Sequence, residues 1–97
     1  MQQAPIAVFD SGLGGLAVAR QVMNTMPQED ILYFSDFGNL PYGPRRQEEV
    51  KTFTLRIVNF LISKGAKIIL IGCNTASAAG AEAANQNPYQ IPVIGMI

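Results

Sequence analysis

The sequence predicts an α/β domain built on an open four-stranded parallel sheet with helices on both faces. Three observations predict it. Short apolar runs alternate with stretches whose apolar residues recur at helical spacing, in the order strand, helix, strand, helix, strand, helix, strand. The runs are apolar almost throughout rather than alternating, as parallel strands covered on both sides are. Glycine and proline sit between the elements, where the chain must turn.

The first strand is "IAVFD", Ile6 to Asp10. A helix is expected from Gly15 to Met26, with Leu16, Ala19, Met23 and Met26 along one face and Pro27 marking its end. "ILYFSD" is the second strand, rich in aromatic and branched residues. "FGNLPYGPRR" is a loop, because its prolines, glycines and asparagine favour little else. A long amphipathic helix follows from Gln47 to Lys64, with Val50, Phe53, Ile57, Phe60 and Leu61 on its apolar side. Gly65 fits the position just past the helix end, where the backbone turns left-handed.

"KIILIGC" is the third strand, and "NTASAAGAEAAN" a small-residue helix for which Asn74 or Thr75 is the expected cap. Pro88 breaks it. "IPVIGMI" is the fourth strand, an apolar segment of the kind that soluble proteins cover. The 97 residues thus form one domain, 1–97, of Rossmann/flavodoxin-like three-layer type, without repeat or linker.

Composition narrows the function. Apolar residues make up 48% of the chain and charged ones 14%, which suits a compact core. Seven basic and seven acidic residues cancel, and there is no basic stripe, so nucleic acid is not the expected partner. Arg45 and Arg46 are the one adjacent basic pair, and a solvated loop accounts for them. "MQQAPI" lacks the features of a signal peptide, and no apolar run approaches the roughly 18 residues of a membrane span. A single cysteine forms no internal disulfide, so a reducing cytoplasm is the expected compartment. The absence of histidine excludes Ser-His-Asp and Cys-His catalysis within this chain, and most zinc sites.

In an open α/β sheet, ligands bind outside the carboxyl ends of the strands. Asp10, Asp36 and Cys73 end the first three strands, so two acids and the thiol fall on one rim. Gly12, Gly14 and Ala17 satisfy the dinucleotide pattern G-x-G-x-x-A, with Asp36 where a ribose-binding acid would stand. Against this, Asp10 lies two residues before the first glycine and would repel a pyrophosphate. A tight strand–helix turn explains the glycines as well. Asp-Ser-Gly also occurs in aspartic proteases and subtilases, but the β-rich pattern of the one and the histidine of the other are missing.

Cys73 reads on its own as a small buried hydrophobe. Its place at a strand end, just before a helix start, favours a thiolate, and Asn74 and Thr75 set polar groups beside it. A thiolate, a carboxylate and backbone N–H groups suit a small anionic substrate. The thiolate would act as a base or as a nucleophile, and residue types alone leave both open.

"FDSGLGGLAV", "ILYFSDFGNLPYG" and "IGCNTASA", in this order and spacing, resemble the amino-terminal half of the glutamate racemases, of the cofactor-independent aspartate/glutamate racemase superfamily. The resemblance runs through "IPVIGMI". It implies interconversion of L- and D-glutamate for peptidoglycan synthesis, by two cysteines on opposite faces of the substrate Cα, without pyridoxal phosphate or metal. It implies that Cys73 is the base acting on the D-enantiomer and that Asp10 assists or orients the proton transfer. Ser11, Pro41, Tyr42 and Gly43 would line the substrate site, and Asn74 and Thr75 would bind the substrate. Asp10 would then face an ammonium rather than a phosphate, or serve only as a turn acid.

Two features depart from that pattern. Phe37 follows Asp36 where the family usually has a small polar residue, which leaves glutamate against aspartate open. The family's second cysteine, in a "G-C-T-H" block, has no counterpart here, so the resemblance implies half a site, completed by a second domain or a second copy. Two other readings stand beside it: a non-catalytic binding or assembly domain, and a nucleotide-binding half-domain using Gly12, Gly14 and Ala17.

Overall fold

The computed structural model describes residues 4–10, 14–35 and 45–95. Its elements follow the expected order: β1 (Ile6–Asp10), α1 (Gly14–Thr25), β2 (Ile31–Ser35), α2 (Gln47–Ser63), β3 (Ile68–Ile71), α3 (Asn74–Asn85) and β4 (Val93–Gly95). The four strands form one parallel sheet in the order β2-β1-β3-β4. The order reverses between β1 and β3, since the chain steps one way to β2 and the other way to β3 and β4. At such a reversal the loops after the two central strands diverge and leave a crevice at their carboxyl ends.

The helices divide between the faces. α2 and α3 pack on each other, and α3 also lies on β3 and β4. Between these helices and the sheet sits the main core, with Ala7, Phe9, Ile69, Ile71 and Val93 from the strands and Val50, Ile57, Val58, Leu61, Ala76 and Ala84 from the helices. α1 lies on β1 and β2. Ile6, Val8, Ala19 and Val22 are buried but lie outside that core, as the strand alternation requires of the opposite face. On the same face as Val8, Ile94 of β4, in register with Leu70, is 52% exposed.

Several local expectations are corrected. On α1, Ala19 and Val22 turn inward, whereas Met23 is 54% exposed and Met26 is exposed too. Met23 stands with Ile31 and Tyr33 of the edge strand β2 around one surface pocket, at the margin of the sheet, and Met26 follows the end of the helix. On α2, Thr54 and Val58 are buried in place of Phe60, which is 45% exposed and instead meets Phe34 with ring centroids 5.7 Å apart. Gly65 does stand past the α2 end with φ +92. Its N–H donates to the Ile62 carbonyl at 2.9 Å and the Ala66 N–H to that of Leu61 at 3.2 Å, the paired bonds of a Schellman ending. Arg45 and Arg46 both reach Glu49, so this basic pair is satisfied locally.

Thr54 is a polar residue with no exposed surface, made tolerable by its hydroxyl donating to the Val50 carbonyl at 2.8 Å. It abuts Gly80 on α3. A Cβ at Gly80 would lie 2.9 Å from Thr54 Cβ and 3.0 Å from its Cγ2. Both are inner atoms of a buried side chain, so the helices themselves would have to separate. Gly80→Ala gains about 1 kcal/mol of helix propensity and loses about 1–3 kcal/mol to overpacking. The expected outcome is a net loss, read as a lower Tm in thermal unfolding. A raised Tm would show that α2 and α3 are not seated this closely.

Candidate active site at the carboxyl ends of the strands

The adjacent carboxyl ends of β1 and β3, where the sheet order reverses, carry the two residues that the sequence singles out most strongly. β1 delivers Asp10. The strand pairs on one side with β2, where Asp10 is level with Ser35, and on the other with β3, where Phe9 is level with Ile71. Asp10 therefore sits one step beyond the last β1–β3 rung. It shares the face of Ile6 and Val8, towards α1, and its residue exposure is 3%. A strand that is otherwise wholly apolar thus ends in a buried carboxylate. Burial of that group against apolar neighbours is unfavourable without polar partners, and among the described residues no buried side-chain N or O atom lacks one.

β3 delivers Cys73 at the end of the neighbouring strand. The strand ladder continues for one further bond, the Gly72 N–H donating to the Phe9 carbonyl at 2.7 Å. The chain then turns into α3. Cys73 itself is the N-cap of that helix, with extended backbone (φ -132, ψ 124), and its Sγ accepts the Ala76 N–H at 3.5 Å. This corrects the expectation that Asn74 or Thr75 caps the helix. Both lie inside its first turn, Asn74 exposed and Thr75 half-buried. Propensity favours asparagine at a cap, but the end of β3 fixes where the helix begins, and the residue at that corner is the cysteine. Cys73 is half-buried and packs on the main core from its outer edge.

The arrangement has a definite chemical capacity. A sulfur that accepts a backbone N–H at a helix start is held with its lone pairs in a field favouring negative charge. A carboxylate stands on the neighbouring strand. Among the described residues no group of three or more His, Cys, Asp or Glu side chains is placed to hold a metal ion. No helix among them is long and apolar enough to cross a membrane.

Of the residues expected at this site, the structure brings Asp10, Cys73, Asn74 and Thr75 to one rim. Ser11, Pro41, Tyr42 and Gly43 lie outside the described residues, as do Asp36 and Gly12. Two contributors escaped the sequence reading. Ser35 is set beside Asp10 by strand register, which a single strand does not reveal. Ser77 bonds back to the Cys73 corner; its position four residues after the cysteine, on the same helical face, is the signal that points to it.

Known proteins share this fold. No protein-family model matches the chain. Its homologues are glutamate racemases. It is 46% identical over 93 residues to a glutamate racemase of Bifidobacterium animalis, covering 96% of this chain and 36% of that protein. It is 49% identical over 92 residues to one of Exiguobacterium sibiricum, covering 95% of this chain and 34% of that one. Among solved structures, glutamate racemase from Francisella tularensis in complex with D-glutamate superimposes with a TM-score of 0.88 at 41% identity, over 94% of this chain and 35% of that one. The chain spans about a third of the length of the curated relatives it matches.

Proposed function

We propose that this chain is the part of a glutamate racemase that carries one of its two proton-transferring faces, with a second domain or a second copy supplying the other. The observation that carries the reading is the placing of Asp10 and Cys73 on either side of the sheet's reversal point, in a chain whose homologues over nearly its full length are glutamate racemases.

In this reading the Cys73 thiolate takes the α-proton of D-glutamate. The C–H electron pair stays on the substrate, delocalised towards its carboxylate, and the sulfur becomes S–H. A proton returned from the opposite face gives L-glutamate. Return from Cys73 itself, after its proton has exchanged with water, gives D-glutamate labelled at Cα. Asp10 faces the substrate ammonium, and Ser11, Pro41, Tyr42, Gly43, Asn74 and Thr75 line the site. The α-proton beside a carboxylate is a poor acid, so the site's work is to exclude water and present fixed dipoles where charge develops. The reaction so written is a proton transfer without a cofactor. D-Glutamate made this way serves the peptidoglycan layer, a cytoplasmic step.

The test is α-proton exchange in D2O, followed by NMR on D- and L-glutamate separately. The expected result is deuterium entering D-glutamate in a reaction abolished by Cys73→Ala. Exchange that persists in Cys73→Ala would overturn the role of the thiol. Backbone amide shifts at Asp10 and Cys73–Thr75 caused by NAD or ATP, but not by glutamate, would overturn the substrate class in favour of a nucleotide.

A further inference from the structure

We propose that Ser77 is a positioning residue for Cys73, locking the strand–helix corner on which the thiol sits. The proposal rests on the reading of Cys73 as the proton-transferring group. The corner consists of Ile71, Gly72 and Cys73. Ile71 is the last residue of β3, level with Phe9 on one side and Gly95 on the other. Beyond it the ladder on the β1 side is held by a single bond, from the Gly72 N–H to the Phe9 carbonyl. Gly72, lacking a side chain, is the residue of this corner with the widest choice of backbone angles.

Ser77 bonds to both sides of that glycine. Its hydroxyl donates to the Ile71 carbonyl at 3.4 Å, and its backbone N–H donates to the Cys73 carbonyl at 2.9 Å. The residue before it, Ala76, donates its N–H to Cys73 Sγ. Ser77 therefore clamps the corner from inside the first turn of α3, and the clamp fixes the direction from which the sulfur meets its N–H donor. The hydroxyl bond is long, so its hold depends on the side chain having one place to go. β4 provides that. A Cβ at Gly95 would come within 2.9 Å of Ser77 Cβ, 3.0 Å of Ser77 Oγ and 3.0 Å of Ala81 Cβ. Ser77 is thus wedged between β4 and the end of β3, and Gly95 is what leaves room for it.

The test needs neither substrate nor a second domain. The rate at which iodoacetamide alkylates Cys73 and the exchange rate of the Ala76 amide are measured for the original chain, Ser77→Ala, Gly95→Ala and, as a control of comparable packing disturbance, Gly80→Ala. In Ser77→Ala, the Ala76 amide should exchange about fivefold faster, the factor that one net hydrogen bond carries. The Cys73 alkylation rate should move by a similar factor, while the Ala84 amide keeps its rate. Gly95→Ala, by crowding the Ser77 side chain, should reproduce the disturbance with residue 77 still a serine.

Unchanged rates in Ser77→Ala would overturn the proposal. So would equal changes in Gly80→Ala, because a merely structural serine would behave that way. If Ser77→Ala does not fold, Gly95→Ala against Gly80→Ala decides the matter. Failure of the Cys73 reading is seen separately, as exchange into D-glutamate that persists in Cys73→Ala.

Discussion

Replacing Phe9 by alanine is expected to unfold the chain at ordinary temperature, whereas replacing Phe60 is expected to leave it folded. The two rings belong to one aromatic row. Phe9 meets Phe34 edge-on at 6.5 Å between centroids, and Phe34 meets Phe60 at 5.7 Å. A tally of ring contacts would rank them nearly alike. Burial separates them. Phe9 is fully enclosed on the central strand β1, with β2 and β3 on either side and α2 above, while Phe60 keeps almost half its surface in water.

Truncating a buried phenylalanine costs about 3–5 kcal/mol, because the cavity adds to the lost transfer energy. For an exposed ring most of that cost vanishes, and the pair contact leaves about 1 kcal/mol. Small domains hold only about 5–15 kcal/mol in all, and each kcal/mol moves Tm by roughly 4–8 °C at this size. Phe9→Ala should therefore lower Tm by tens of degrees and Phe60→Ala by several. Urea unfolding followed by far-ultraviolet circular dichroism measures both. Equal losses would mean that the row of rings, rather than enclosure by the sheet, supplies the stability. Phe9 also adjoins Asp10, so a softened β1 should disturb the rim as well as the core.

The legible parts of this fold are those governed by local chemistry. Continuous apolar strands between helical stretches point to a parallel sheet, whose central strands are covered on both faces; β1 is buried throughout in this way, whereas β4 leaves Ile94 exposed. Gly65 is readable for the same kind of reason: past α2 a left-handed residue is needed, and its φ of +92 suits glycine alone. The illegible parts depend on what stands opposite. Thr54 looks like a surface residue of α2, and only the lack of a side chain at Gly80 explains why it is buried. Met23 obeys the period of α1 but lies at the margin of the sheet, beside the edge strand β2.

At the site, the rim itself was readable, because strand ends in a parallel sheet lie on one side. Asp10 and Cys73 are there as the pattern implied. The strand order, which puts them beside the same reversal point, was not readable, for it depends on pairings between distant segments. The cap was misread because intrinsic preference for asparagine is worth about 1 kcal/mol, less than the constraint imposed by where β3 stops.

Asp10→Asn is expected to leave the fold intact and to weaken glutamate binding by about 10–100-fold, the range of a hydrogen bond to a charged group. Asparagine has nearly the same volume as aspartate, so the wholly apolar strand behind it needs no repacking. What changes is the charge. If Asp10 attracts the substrate ammonium, the loss should depend on that ammonium. Glutarate, which carries both carboxylates of glutamate and no amino group, supplies the comparison. The original chain should bind glutarate worse than glutamate, since a buried acid faces it without a cation between them. In Asp10→Asn glutarate should bind as well as before or better. The two ligands should therefore exchange their order, and titrations followed by the amide signals of Cys73, Asn74 and Thr75 would show it. A parallel fall for both ligands would assign Asp10 to the turn rather than to the substrate. A change in neither would remove it from the site, and Cys73 would then have to work without the carboxylate across the crevice.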